Sequence, residues 1–250
     1  MAPTVLYESP AGSSTRTLTL RANYKYNFYV YGAGGGGGAS STIHAGGRGA
    51  KGTYVSVAYT PSTNIEVSAY VPAGGVKGNT SHNNNGGFGG DAATIISTDA
   101  LKKVVIIAAG GGAGSNAFGP MPGTDGQPGS TVQDASDAAT DAATDAATSG
   151  TPAQRITSAV NAGELKGGGA QAGTAIYSST SYGTGGTSYT NLANPTYNVT
   201  YADGTRFTGG GSDSNGSDGY IYITETAPLD ATVASLAAQI KGLQAAFAKA

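Results

Sequence analysis

Apolar and polar residues alternate with a period of two along several short stretches, and that period predicts strands. Residues 17–22 read TLTLRA, and 24–31 read YKYNFYVY with Tyr24, Tyr26, Phe28 and Val30 on one face. Residues 54–59 (YVSVAY) and 65–71 (IEVSAYV) alternate as well, and the residues between them, TPSTN, have turn chemistry. Residues 104–109, VVIIAA, are continuously apolar and predict a strand buried on both faces. Residues 220–224, YIYIT, close the β-rich part. Short strands at this spacing predict a mainly β chain folded as a sandwich.

The period changes at residues 230–250, DATVASLAAQIKGLQAAFAKA. Val233, Leu236, Ile240, Leu243 and Phe247 recur at the a and d spacing of a heptad. Asp230 is placed to cap such a helix, and Lys249 would complement its dipole at the far end. With Gly242 inside, a lone helix of about 20 residues is marginal in water, so the apolar seam implies something to pack against. Its flanks, Ala237, Gln239, Gln244 and Ala246, carry no charge that would set a dimer register. Small flanks widen the apolar face, so the expected partner is the same helix of two further copies, a homotrimer. The alternative packs the helix on its own body. The organisation expected is a glycine-rich β domain over 1–226, with a low-complexity insert at 134–149, and an oligomerisation helix over 227–250.

Between the strands lie glycine tracts, at 34–38, 46–52, 86–90, 110–114, 167–169 and 209–211. A linker would occur once; these recur beside strands throughout the chain. Ordered glycine loses more backbone entropy than any other residue, so the tracts need compensation. Polyproline II geometry, with three residues per turn, lets side-chain-free segments pack closely and pair their N–H and C=O groups between segments. The expected fold is therefore a glycine-rich β-sandwich with packed polyglycine II helices and one α-helix.

Composition supports an unusual core. Nine Leu, 11 Ile, 13 Val and five Phe in 250 residues fall short of an ordinary aliphatic interior. Disorder usually couples that poverty to high net charge, whereas the formal net charge here is −2. Fifteen Tyr supply packing surface with polar tips. The charge balance shows no basic footprint for nucleic acid, and no apolar run reaches the length of a membrane span. The opening MAPTVLYESPAG lacks the pattern of a signal peptide.

Candidate chemistry is sparse. Gly47-Arg48-Gly49-Ala50-Lys51-Gly52 spells G-x-G-x-x-G, but it precedes a strand instead of following one and opening a helix. GGGAGS at 110–115 follows an apolar strand yet lacks the Gly-Lys-Ser/Thr ending of a phosphate loop. His44 and His82 sit in polar loops without a third ligand identifiable in the sequence, and read as solvent-exposed. The sequons at Asn79, Asn198 and Asn215 are expected by chance in so polar a chain. Asp134, Asp137, Asp141 and Asp145 of the D-A-A-T repeat read as a solvated insert, without an EF-hand pattern. Residues 182–207 mix Tyr, Asn, Ser, Thr and Gly, the palette of recognition loops and of polar β surfaces alike. The expectation is a protein without catalytic residues, cofactor or metal.

The ordered series VYGAGGGGG (30–38), GGRGAKGTYVSVAYTPSTNIEVSAYV (46–71), GGFGGDAATIIS (86–97), IIAAGGGAG (106–114) and GSDGYIYIT (216–224) resembles the glycine-rich domain of bacteriophage virion proteins, especially tail and head fibres. More loosely it is similar to the glycine-rich domain of the anaplastic lymphoma kinase family. The resemblance covers roughly residues 5–225, and departs from the family at Ala73-Gly74 and in the D-A-A-T insert. It implies a non-enzymatic virion part, a fibre or decoration component, found on the virion and contacting other virion proteins. Two alternatives stand beside it. One is an adhesin binding a host-surface glycan or protein through the Tyr/Asn/Gly-rich loops. The other is a self-assembling extracellular filament subunit that pairs exposed strand edges.

Overall fold

The computed structural model describes residues 2–78, 87–101, 103–117, 122–123, 125–126, 130–131, 187–198 and 209–247. The D-A-A-T insert, His82, Asn79, Lys249 and the glycines at 167–169 lie outside them. The described chain is mainly β, with two sheets and one helix. The strands are β1 (Thr4–Glu8), β2 (Ser14–Leu20), β3 (Lys25–Tyr31), β4 (Tyr54–Tyr59), β5 (Ile65–Val71), β6 (Ala93–Ser97), β7 (Val105–Ala108), β8 (Ser130–Thr131), β9 (Thr187–Thr190), β10 (Thr196–Asn198) and β11 (Tyr220–Thr226). The helix is α1 (Leu229–Phe247).

Sheet A has the order β1-β11-β3-β4-β10, and sheet B the order β2-β5-β6-β7-β9-β8. Every pairing is antiparallel except the two-residue β8–β9 contact. The inner faces share one core. Sheet A contributes Tyr26, Phe28 and Val30, Val55 and Val57, Ile221 and Ile223; sheet B contributes Leu20, Val67, Ala69, Val71, Ile95 and Ile106. Each large side chain buried here is worth about 1.5–3 kcal/mol, and among the described residues this cluster is the hydrophobic core. Tyr26 keeps its polar tip satisfied by accepting the Arg21 N–H at 2.6 Å.

The alternating segments form strands where the pattern predicts them, and β4 and β5 have the predicted limits. The continuous run forms β7, buried on both faces. Four differences have local causes. β2 starts earlier, at Ser14, because pairing with β5 extends to Ser14–Val71 and outruns the apolar alternation. β1 carries a register shift between Val5 and Tyr7, which breaks the period-two signal. In β6 the apolar residues are diluted by Ala, Thr and Ser. The helix begins at Leu229, so Asp230 belongs to its first turn and does not precede it as a cap.

Candidate functional site

The glycine tracts continue the strands out of the sheets. Residues 32–38 extend β3, 72–78 extend β5 and 109–117 extend β7; 47–53 lead into β4, 87–92 into β6 and 214–219 into β11. At the sheet end the hydrogen-bond period changes from two to three. The N–H groups of Gly32, Gly35 and Gly38 donate to the carbonyls of Thr53, Ala50 and Gly47. Those of Ala33 and Gly36 donate to Asp91 and Phe88, and those of Gly34 and Gly37 to Ser217 and Ser214. Successive donors thus rotate among three antiparallel neighbours.

The carbonyls of the same segment obey the same rule. Ala33, Gly36 and Ala39 accept from Gly111, Gly114 and Ala117; Gly34 and Gly37 accept from Gly75 and Gly78; Gly35 and Gly38 accept from Gly210 and Asp213. These three neighbours run parallel to it. Bonds between neighbours complete a ring: Ala50 N–H to Gly112, Gly90 to Gly111, Phe88 to Val76, Gly216 to Gly75, Ser214 to Gly211, and Gly49 to Gly210. Segment 32–38 is therefore the axis of a bundle, enclosed by six segments of alternating direction. From Ala33 to Gly38 every residue uses both backbone groups, at 2.8–3.1 Å.

This arrangement requires glycine for proximity. Among the described glycines only Gly12 has a left-handed φ, 86°, so the tracts do not exist to allow turns. A Cβ on Gly35 would stand 2.1 Å from the Gly112 carbonyl oxygen, on Gly49 1.9 Å from that of Gly35, and on Gly110 1.8 Å from that of Gly90. Neighbouring backbones are in contact, and no side chain fits between them. A backbone hydrogen bond nets about 0.5–1.5 kcal/mol, against about 1–2 kcal/mol to fix a residue's backbone. The bundle is near balance by itself, and its anchoring to the sheets tips it.

Side chains tie the bundle's margins. The Asp218 carboxylate accepts the N–H groups of Gly12 and Gly74, both at 2.9 Å. Asp213 accepts both the N–H and the hydroxyl of Ser40, which hold its carboxyl below the usual range. Asn215, the last of the sequons, accepts the Lys77 N–H at 2.9 Å.

The G-x-G-x-x-G stretch lies within the bundle, where Gly47 and Gly49 donate to Ser115 and Gly210. GGGAGS is the segment that follows β7, and its N–H groups at Gly111 and Gly114 are likewise taken. The N–H groups of Gly47, Gly49, Gly111 and Gly114 are thus committed to carbonyls and are not open to a phosphate. His44 is half-buried, not solvent-exposed as its polar loop suggests, because its N–H and carbonyl bond Ser41 in a tight turn. Among the described residues no group of three or more His, Asp or Glu is placed to hold a metal ion, and no helix is long and apolar enough to cross a membrane. Of the stretch 182–207, residues 187–198 comprise β9, β10 and the bend between them. There the Thr190 and Asn191 side chains bond backbone groups of Val105 in β7, and the Ser188 hydroxyl accepts the N–H of Ala109 just past it, so they serve the sheet.

The helix is different in kind. Val233, Leu236, Ile240 and Phe247 are 60%, 57%, 50% and 80% exposed. Leu243 lies in the same helix. Among the described residues, nothing packs over these four apolar side chains.

A family model described as a glycine-rich domain matches residues 9–230. No curated protein matches the chain.

Proposed function

The chain belongs to the glycine-rich domain family, and from that premise we propose a non-enzymatic structural protein, a fibre or decoration component of a phage-like virion, acting as a homotrimer joined through α1. The observation that carries this reading is the exposed seam of Val233, Leu236, Ile240 and Phe247 on the helix that follows β11. Such a seam is costly in water, and identical helices bury it by knobs-into-holes packing. The virion setting rests on the order of strands and glycine tracts, which resembles that of glycine-rich virion domains.

Within this proposal the two sheets form a sandwich and the tracts are polyglycine II helices. The three-residue period of donors and acceptors supports that geometry, because a helix with three residues per turn aims successive N–H groups about 120° apart. A bundle held mainly by backbone hydrogen bonds needs neither a large aliphatic core nor disulfides, which suits a part that must stay rigid in an unprotected setting. Location of the chain on native particles by labelled antibody and electron microscopy tests the assignment. A particle-bound chain is expected. Purified protein that polymerises without limit would instead favour the filament subunit.

A further inference from the structure

The outer face of sheet A carries a cluster of tyrosines. The cross-strand register sets Tyr220, Tyr31 and Tyr54 side by side in one row, and Tyr222 and Tyr29 in the next. Ring centroids are 4.6 Å apart for Tyr31–Tyr54, 5.9 Å for Tyr31–Tyr220 and 5.8 Å for Tyr29–Tyr222. All five rings are half-buried, and the Tyr220 hydroxyl donates to Glu8 at 2.7 Å. Among the described strand residues, charge on this face is confined to the margins, at Glu8 and Lys25. An aromatic, charge-poor centre with polar tips is the composition of an interface core.

β11 connects this face to the helix. It carries Tyr220 and Tyr222, ends at Thr226, and is followed after two residues, Ala227 and Pro228, by α1. Tyr222 lies four residues from the strand end, about 13 Å at strand rise. Packed helices have axes about 8–10 Å apart, whereas a five-stranded sheet is about 20 Å across. Bodies hung from neighbouring helices by a two-residue, proline-containing link are therefore forced together close to their roots. The inner face of sheet A is filled by the core, and the β1 edge is short and broken by its register shift. The tyrosine face is the broad surface of sheet A that does not pack into the described core.

We infer that the outer face of sheet A, centred on Tyr29 and Tyr222, is where the bodies of adjacent copies of this chain meet. The inference rests on α1 joining the copies. The test is tyrosine nitration of the full chain, read peptide by peptide by mass spectrometry beside the mass from light scattering. Wild type is compared with a Leu236→Asp/Ile240→Asp variant, and with wild type diluted until it dissociates, which needs no substitution. Tyr29 and Tyr222 are expected to react at least about fivefold more slowly in the oligomer than in either dissociated form. Tyr70, half-buried on sheet B, should react equally in all three. An oligomer whose Tyr29 and Tyr222 react as fast as the monomer's overturns this inference and leaves the helix reading standing. A wild type that is monomeric at every concentration overturns both. Protection by an added maltooligosaccharide, with none from oligomerisation, would assign the face to a saccharide instead.

Discussion

The Gly35 N–H donates to the Ala50 carbonyl oxygen at 2.9 Å, while a Cβ on Gly49 would stand 1.9 Å from the carbonyl oxygen of Gly35. The two segments touch so closely that the bond and the exclusion of a methyl group are one geometric fact. Gly35→Ala and Gly49→Ala are each expected to destabilise the body by at least about 3 kcal/mol, the upper end of overpacking costs, because the obstructing atom is backbone. Gly211 has nothing within 4 Å of its Cβ position and no left-handed φ. Gly211→Ala should leave the unfolding free energy within about 0.5 kcal/mol of wild type. Equal effects at the three sites would refute the packed-bundle account.

Amide exchange should be as slow for Gly34 to Gly38 as for β3, since each of those N–H groups has a carbonyl partner at 2.8–2.9 Å. Polyglycine without tertiary partners exchanges at the rate of open coil. Mass spectrometry of peptides covering 30–40 distinguishes the two directly.

Two variants of α1 should act in opposite directions. Leu236→Asp with Ile240→Asp is expected to reduce the particle to a 24.4 kDa monomer whose sheets keep their circular dichroism signature. Gly242 has open space around its Cβ position, so Gly242→Ala should stabilise the helix by about 1 kcal/mol and raise the dissociation temperature. An unchanged mass in the aspartate variant would separate the helix from oligomerisation.

The bundle should have an acid limit at one corner. Asp213 is held below its ordinary value, first by the Ser40 hydroxyl and then by the Ser40 N–H, with Lys77 adding a smaller attraction and desolvation opposing. A depressed folded value means the contribution is fully present above the unfolded value, about 3.9, and is lost as pH falls through the folded one. Exchange at Ser40 should accelerate below about pH 4 in wild type. In Asp213→Asn it should be faster than wild type at neutral pH and nearly pH-independent once corrected for intrinsic rates. Parallel pH profiles in the two proteins would count against the Asp213–Ser40 link.

Much of this molecule is local in origin. The strands of the inner core follow from side chains that alternate by two, and β4 and β5 could be bounded from that pattern alone. The heptad seam of α1 is equally local, as is the demand of repeated glycine for close backbone packing. The segments that escaped such reading have weak or interrupted patterns: β1 with its register shift, β6 with its small residues, and β9, whose polar side chains bond the neighbouring strand. What only the tertiary structure decided is which glycine tract becomes the axis and which segments enclose it. A glycine has no side chain to specify a neighbour, so its partners are dictated by the strands it extends. β3 lies in the middle of sheet A, between β11 and β4, and carries 32–38 into the centre. The sheets thus set the order, and the glycines permit the distance.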